Sequence, residues 1–164
     1  MKVSKDYCIP YLGGYSKDGK TLYIDRYYPQ YYKQKDGNMV DAHSFLIEHE
    51  KYEANLMSKV KDITFEEAHR AAIRHEKRLL EAAGVDVEEY YKNLYKWVEY
   101  AMGHFTKADV PPDLNIRPYT EDKLTSVVKE LKGYHEPSPD KSVTKKVLEK
   151  NRKKDTNTLL TQKD

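Results

Sequence analysis

An α+β fold, with a small N-terminal β-hairpin or sheet packed on a helical core and a flexible basic tail behind it, follows from three features of this 164-residue sequence. Two short stretches near the start alternate apolar and polar residues around a glycine turn, the two-residue period of strands. Three long stretches after residue 41 repeat apolar residues every three or four positions and carry capping residues at their ends, as amphipathic helices do. Beyond Gly133 the composition turns to Pro, Ser, Asp and Lys, and both periods are lost. One domain over residues 1–133, with a tail over 134–164, suits that length and pattern.

The extended segments are residues 7–15 and 20–28, joined by Ser16-Lys17-Asp18-Gly19, where glycine supplies a positive φ. Leu22 and Ile24 share one face of the second segment, and Tyr23 and Asp25 share the other. Pro10 has no amide donor and confines the first segment to a sheet edge. Residues 29–40 lose periodicity around Pro29 and Gly37 and read as a loop. The first helix spans about residues 42–60, with Phe45, His49, Tyr52, Leu56 and Val60 on one stripe and Leu46, Glu53 and Met57 beside it. The second opens at Thr64, which forms a capping-box pattern with Glu67, and ends at Gly84. The third takes Asp86 as its cap and runs to about Gly103, with Leu94, Trp97, Val98 and Ala101 on its apolar face. Pro111, Pro112 and Pro118 then interrupt the chain before a short helix over 121–131.

The formal charge of +2 is an average of two unlike parts. Residues 1–140 hold 21 basic and 24 acidic groups, whereas residues 141–164 hold 8 and 3. An acidic body excludes a domain that grips duplex DNA over its whole surface and leaves nucleic acid only to the basic tail. No run approaches the ~18 apolar residues of a membrane span. The first ten residues contain no apolar signal segment, so export by a signal peptide is not expected. Cys8 is the single cysteine, which excludes an intrachain disulfide and a thiolate cluster and points to a reducing cytoplasm. Eight of the 15 tyrosines lie between Tyr7 and Tyr32, interleaved with Lys17, Lys20, Arg26, Lys33 and Lys35. Such a run suits a stacking platform for single-stranded nucleic acid or sugar, but it suits core packing or a protein interface better.

One constellation carries chemistry. In His49-Glu50-Lys51-Tyr52-Glu53, His49 and Glu53 are one helical turn apart and can hold one ion between them. Glu50 is turned ~100° away, where it reaches a metal-bound water without ligating the metal. Random order predicts roughly 0.04 occurrences of His-Glu-x-x-Glu in a chain of this composition. On the second helix His69, Ala72, Ile73 and Glu76 share a face. If the first two helices pack antiparallel across Lys61-Asp62-Ile63, His69 meets the His49/Glu53 pair. Two imidazoles and one carboxylate are the ligand set of an open catalytic zinc site. Glu76 would then orient a ligand histidine or serve as a fourth ligand, and His43 competes for the third position.

His49-Glu50-x-x-Glu53, preceded by a strand-like segment and followed by a helix with a further ligand candidate, resembles the zincin metallopeptidases of the gluzincin type. Their motif is His-Glu-x-x-His with a downstream glutamate. Here Glu53 stands at the second histidine's place and His69 at the glutamate's, so the inventory is kept in permuted order. The resemblance implies a zincin-like core, His49 as a zinc ligand, Glu50 as general base, and a peptide or protein substrate. Tyr23 or Arg26, at the end of the strand, would stabilise the oxyanion. Tyr-Ile-Asp-Arg, Phe-Leu-x-x-His-Glu and Ala-His-x-x-Ala, over about residues 7–91, are also similar to small proteins of phages and bacteria. That likeness implies a host cytoplasm or a virion as the location.

Two other readings stay open on the sequence. In the first, the His/Glu cluster is a structural site or a hydrogen-bonded polar network in a non-enzymatic virion or interaction protein, a homo-oligomer included. In the second, Glu66-x-x-His69 is half of a di-iron carboxylate site, which needs a second such motif and four long helices. His75, on a stripe with Ala68, Ala71, Leu79 and Ala82, reads as packing or surface.

Overall fold

The computed structural model describes residues 1–121 and shows an α+β chain. Its first sheet contains β1 (Lys2–Ser4), β2 (Gly13–Tyr15) and β3 (Thr21–Ile24) in the order β1-β3-β2, with β1 parallel and β2 antiparallel to β3. The expected hairpin is therefore present but shorter than its sequence pattern. Pro10 opens a 3₁₀ turn, Pro10–Leu12, in which Tyr11 and Leu12 take positive φ of 58° and 74°, so pairing starts only at Gly13. Gly19 closes the hairpin turn at φ 70°, with its amide bonded to the carbonyl of Ser16.

Every residue from Leu22 to Asp25 is buried, on both faces of the strand. The expected alternation between core and solvent does not hold here, because α1 (Ala42–Lys59) covers one face of β2 and residues 114–119 cover the other. Residues 113–115 also run beside β2, with Lys17 N–H bonded to Asp113 O (2.8 Å) and Asn115 N–H to Tyr15 O (2.8 Å), which closes the edge that Pro10 was expected to mark.

Residues 29–40 are not a plain loop. β4 (Tyr31–Lys33) and β5 (Met39–Asp41) pair antiparallel, with Tyr32 opposite Val40 and Gly37 in the turn at φ 91°. Three-residue strands are too short to display a period, so only the turn glycine marked them. β5 runs directly into α1, whose cap Asp41 accepts the amide of Ser44 (3.2 Å).

α2 (Phe65–Ala82) has the full capping box. Thr64 Oγ1 accepts the Glu67 amide (3.1 Å), and Glu67 Oε2 accepts the Thr64 amide (3.0 Å). α3 (Val87–Gly103) starts at Asp86, which accepts the Glu89 amide, and α4 (Arg117–Glu121) ends the described chain. The helix expected over 121–131 and the tail over 134–164 lie outside the described residues, apart from Glu121.

Ile9, Leu12, Ile24 and Leu46 form the core with Leu80, Tyr90, Val98, Met102 and Leu114. Tyr15, Tyr23 and Tyr28 are buried, so part of the tyrosine-rich run is core. Among the described residues no helix is long and apolar enough to cross a membrane.

Candidate metal centre

The buried stripe of α1 is a polar one. Ala42, His43, Leu46, His49, Glu50, Glu53 and Met57 face inward, whereas Val60 of the expected stripe is 46% exposed. On α2 the inward residues are Ala68, Ala72, Ile73, Glu76 and Leu80. Glu53 of α1 meets His69 of α2 and His49 meets Glu76, so advance along one helix is retreat along the other and the pair is antiparallel. Ala68 and Ala72, fully buried, let the two helices approach closely.

His49, Glu53 and His69 converge, each offering one donor atom within 4.8 Å of the others. Glu53 Oε2 lies 3.4 Å from His49 Nε2 and accepts a hydrogen bond from His69 Nδ1 at 3.0 Å. Zinc bonds of 2.0–2.1 Å place tetrahedral ligand atoms roughly 3.3 Å apart, close to the 3.4 and 3.0 Å that separate Glu53 from the two imidazoles. The His49 and His69 rings meet edge to face at 5.0 Å, and the His69 side chain, 26% exposed, is the outermost of the three.

Two further carboxylates share the space. Glu50 and Glu76 are buried as well, so three carboxyl groups and two imidazoles share one interior. Burial alone would raise the Glu53 carboxyl, but hydrogen bonds from His49 and His69 overcome it and hold the group down at about 2. Burial and then the adjacent Glu53 charge push Glu50 up to about 8. Burial opposes protonation of His49, yet Glu76 and the Glu53 hydrogen bond raise it well above the ordinary imidazole range.

Glu50 owes its room to Gly13 of β2. A Cβ there would collide with Glu50 Oε1, and one on Gly14 would meet Tyr119 Oη and Leu114 on the opposite side. Both glycines serve close approach, since Gly13 is ordinarily extended at φ −139°. Tyr119 donates its hydroxyl to the Gly13 carbonyl (2.8 Å), and the charges of Glu50 and Glu53 add to burial in raising its pKa.

The other expected residues divide clearly. Glu76 sits beside His49, its Oε1 3.6 Å from Nδ1. His43 stands outside the converging group; its Nε2 donates to the carbonyl of Tyr28 (2.7 Å) and its ring tilts against that tyrosine. Tyr23 and Arg26, expected to stabilise an oxyanion, both reach the C-terminal segment. Tyr23 donates to Asp113 (2.6 Å) and Arg26 pairs with Asp109 (2.9 Å), so each is committed to the C-terminal segment. Glu66 is exposed and paired with Arg70 (2.7 Å), and His75 stacks on Tyr52 at 4.5 Å.

Three tyrosines at the site were not singled out in the sequence. Tyr90 lies one turn before Leu94, so its inward direction was readable, but nothing local tied it or Tyr91 to Glu76. Tyr119 follows a proline-rich stretch without period. No protein-family model, no curated protein and no solved structure matches this chain.

Proposed function

We propose that this chain is a zinc-dependent hydrolase of metallopeptidase type, with His49, Glu53 and His69 holding the ion and Glu50 as general base. The observation that carries the reading is the convergence of two imidazoles and one carboxylate from α1 and α2 inside 4.8 Å, in a space that also buries Glu50. Three protein ligands leave a tetrahedral ion one open position, which distinguishes catalytic from closed structural zinc sites. Zinc bound there supplies an acidified water and a polarised carbonyl.

The chain's own contribution is proton handling. Burial and the Glu53 charge give the Glu50 carboxylate the raised proton affinity of a general base, and a cation bound beside it would favour its ionised, proton-accepting form. As water attacks a peptide carbonyl, Glu50 takes the proton released; the C–O bond forms, the C–N bond breaks, and Glu50 returns the proton to the departing amine. Gly13 leaves the space that the Glu50 carboxylate occupies.

The test is a peptide-library digestion by the zinc-loaded full chain and its Glu50→Gln variant. The variant should retain zinc, melt no lower when metal-free, and lose turnover by about 10²–10⁴-fold. Zinc bound by both proteins with cleavage by neither would overturn the hydrolase and leave a structural metal site.

A further inference from the structure

We infer that Tyr90 and Tyr91 of α3, acting through Glu76 of α2, set the orientation of His49 and so tune the affinity of the metal centre. This rests on the metal-site reading above and extends it to a helix that contributes no ligand. Glu76 is 1% exposed, and both of its oxygens are engaged. Tyr90 donates to Oε2 at 3.0 Å, and Tyr91 donates to Oε1. That same Oε1 faces His49 Nδ1 at 3.6 Å, a few tenths of an ångström beyond a formed hydrogen bond.

The two ring nitrogens of His49 thus face opposite tasks. Nδ1 looks toward Glu76, and Nε2 looks toward Glu53 and the position between the three ligands. An Nδ1–H held by a carboxylate leaves the lone pair on Nε2, fixes the tautomer and raises the basicity of the ligand nitrogen. Glu76 can do this only if its own rotamer is fixed, and the two hydroxyls hold it from two directions. Their rings stand nearly perpendicular, at 89° with centroids 5.1 Å apart, so neither can replace the other. Phe45, edge-on to Tyr90 at 5.8 Å, braces that ring from α1. Hydrogen bonds link α3 to Glu76 on α2, and an ion-pair contact of 3.6 Å carries the chain on to His49 on α1. These are positioning residues, since none of the three is among the converging donors.

Full-length wild type, Tyr91→Phe, Tyr90→Phe and Glu76→Gln would be titrated with zinc against a chromophoric chelator, and with Co²⁺ for the visible ligand-field spectrum. The expected result is a zinc affinity lower by 10–100-fold in Glu76→Gln and about 10-fold in Tyr91→Phe, with a changed Co²⁺ band in both. A purely structural role would lower the melting point of the metal-free protein and leave affinity and band in place. Wild-type affinity and spectrum in every variant that folds would therefore overturn the inference while sparing the metal site. If wild type binds neither ion, the metal-site reading fails and this inference falls with it.

Discussion

His43 and His49 lie on the same inward face of one helix, yet their surroundings make them opposites. The His43 ring donates Nε2–H to the Tyr28 carbonyl, its Nδ1 is buried without a partner, and burial lowers its pKa. His49 is surrounded by carboxylates that raise its own. For His43 the folded value lies below the ordinary 6.5, so its contribution to stability is complete above that pH. It is lost as pH falls toward the folded value, since the unfolded chain then binds the proton more readily. Gln at this position keeps a donor and cannot titrate. Urea unfolding at pH 7.5 and 5.5 should show wild type losing stability relative to His43→Gln at the lower pH, by up to about 1.4 kcal/mol per pH unit. An unchanged difference would contradict the assignment. The residue-level pattern explains what could be read in advance. His49 and Glu53 are one turn apart and must face the same way, so spacing alone pairs them. Which of His43 and His69 joins them depends on a carbonyl at Tyr28, 15 residues upstream. No local pattern records that contact.

At the level of elements, caps and turns were legible and short strands were not. Thr64, Glu67, Asp86 and Gly84 have chemistry that works within four residues of chain, and each bounds the helix end expected of it. β4 and β5 have three residues apiece and gain their pairing from each other. α1 shows the deeper difficulty. The expected stripe of Phe45, His49, Tyr52, Leu56 and Val60, with Leu46, Glu53 and Met57 beside it, carries His49, Leu46, Glu53 and Met57 inward. Phe45, Tyr52 and Leu56, however, are only half-buried, Val60 is exposed, and Glu50 is buried against β2. The Thr64 cap holds the first turn of α2, five residues before His69. Replacing it with Ala should cost about 1 kcal/mol of stability, lower the melting point by a few degrees, and leave the zinc-binding stoichiometry unchanged. Thermal unfolding followed by circular dichroism checks the first part and chelator competition the second.

Across the whole molecule, the antiparallel α1/α2 pair brings Glu53 to His69 and His49 to Glu76, while the sheet supplies Gly13 and α3 supplies two tyrosines. Five helix positions of compatible chemistry were visible in the sequence. Their union needed the helices to lie antiparallel across a short connection, and the structure has that arrangement. The supports at Gly13, Tyr90, Tyr91 and Tyr119 come from distant parts of the chain, which is why only the five helix positions were legible. Three carboxyl groups gathered around two imidazoles are costly to bury, and a cation among them would offset the charge of those that ionise. A divalent ion would also tie folding to metal supply, adding about 2.7 kcal/mol at a free concentration 100 times its dissociation constant. The central claim is therefore best tested by elemental analysis of the purified full-length chain after exposure to zinc and dialysis. Wild type should retain about one zinc ion per chain, and His49→Ala and Glu53→Gln should retain almost none. No stoichiometric metal in wild type, or equal metal in all three proteins, would contradict it.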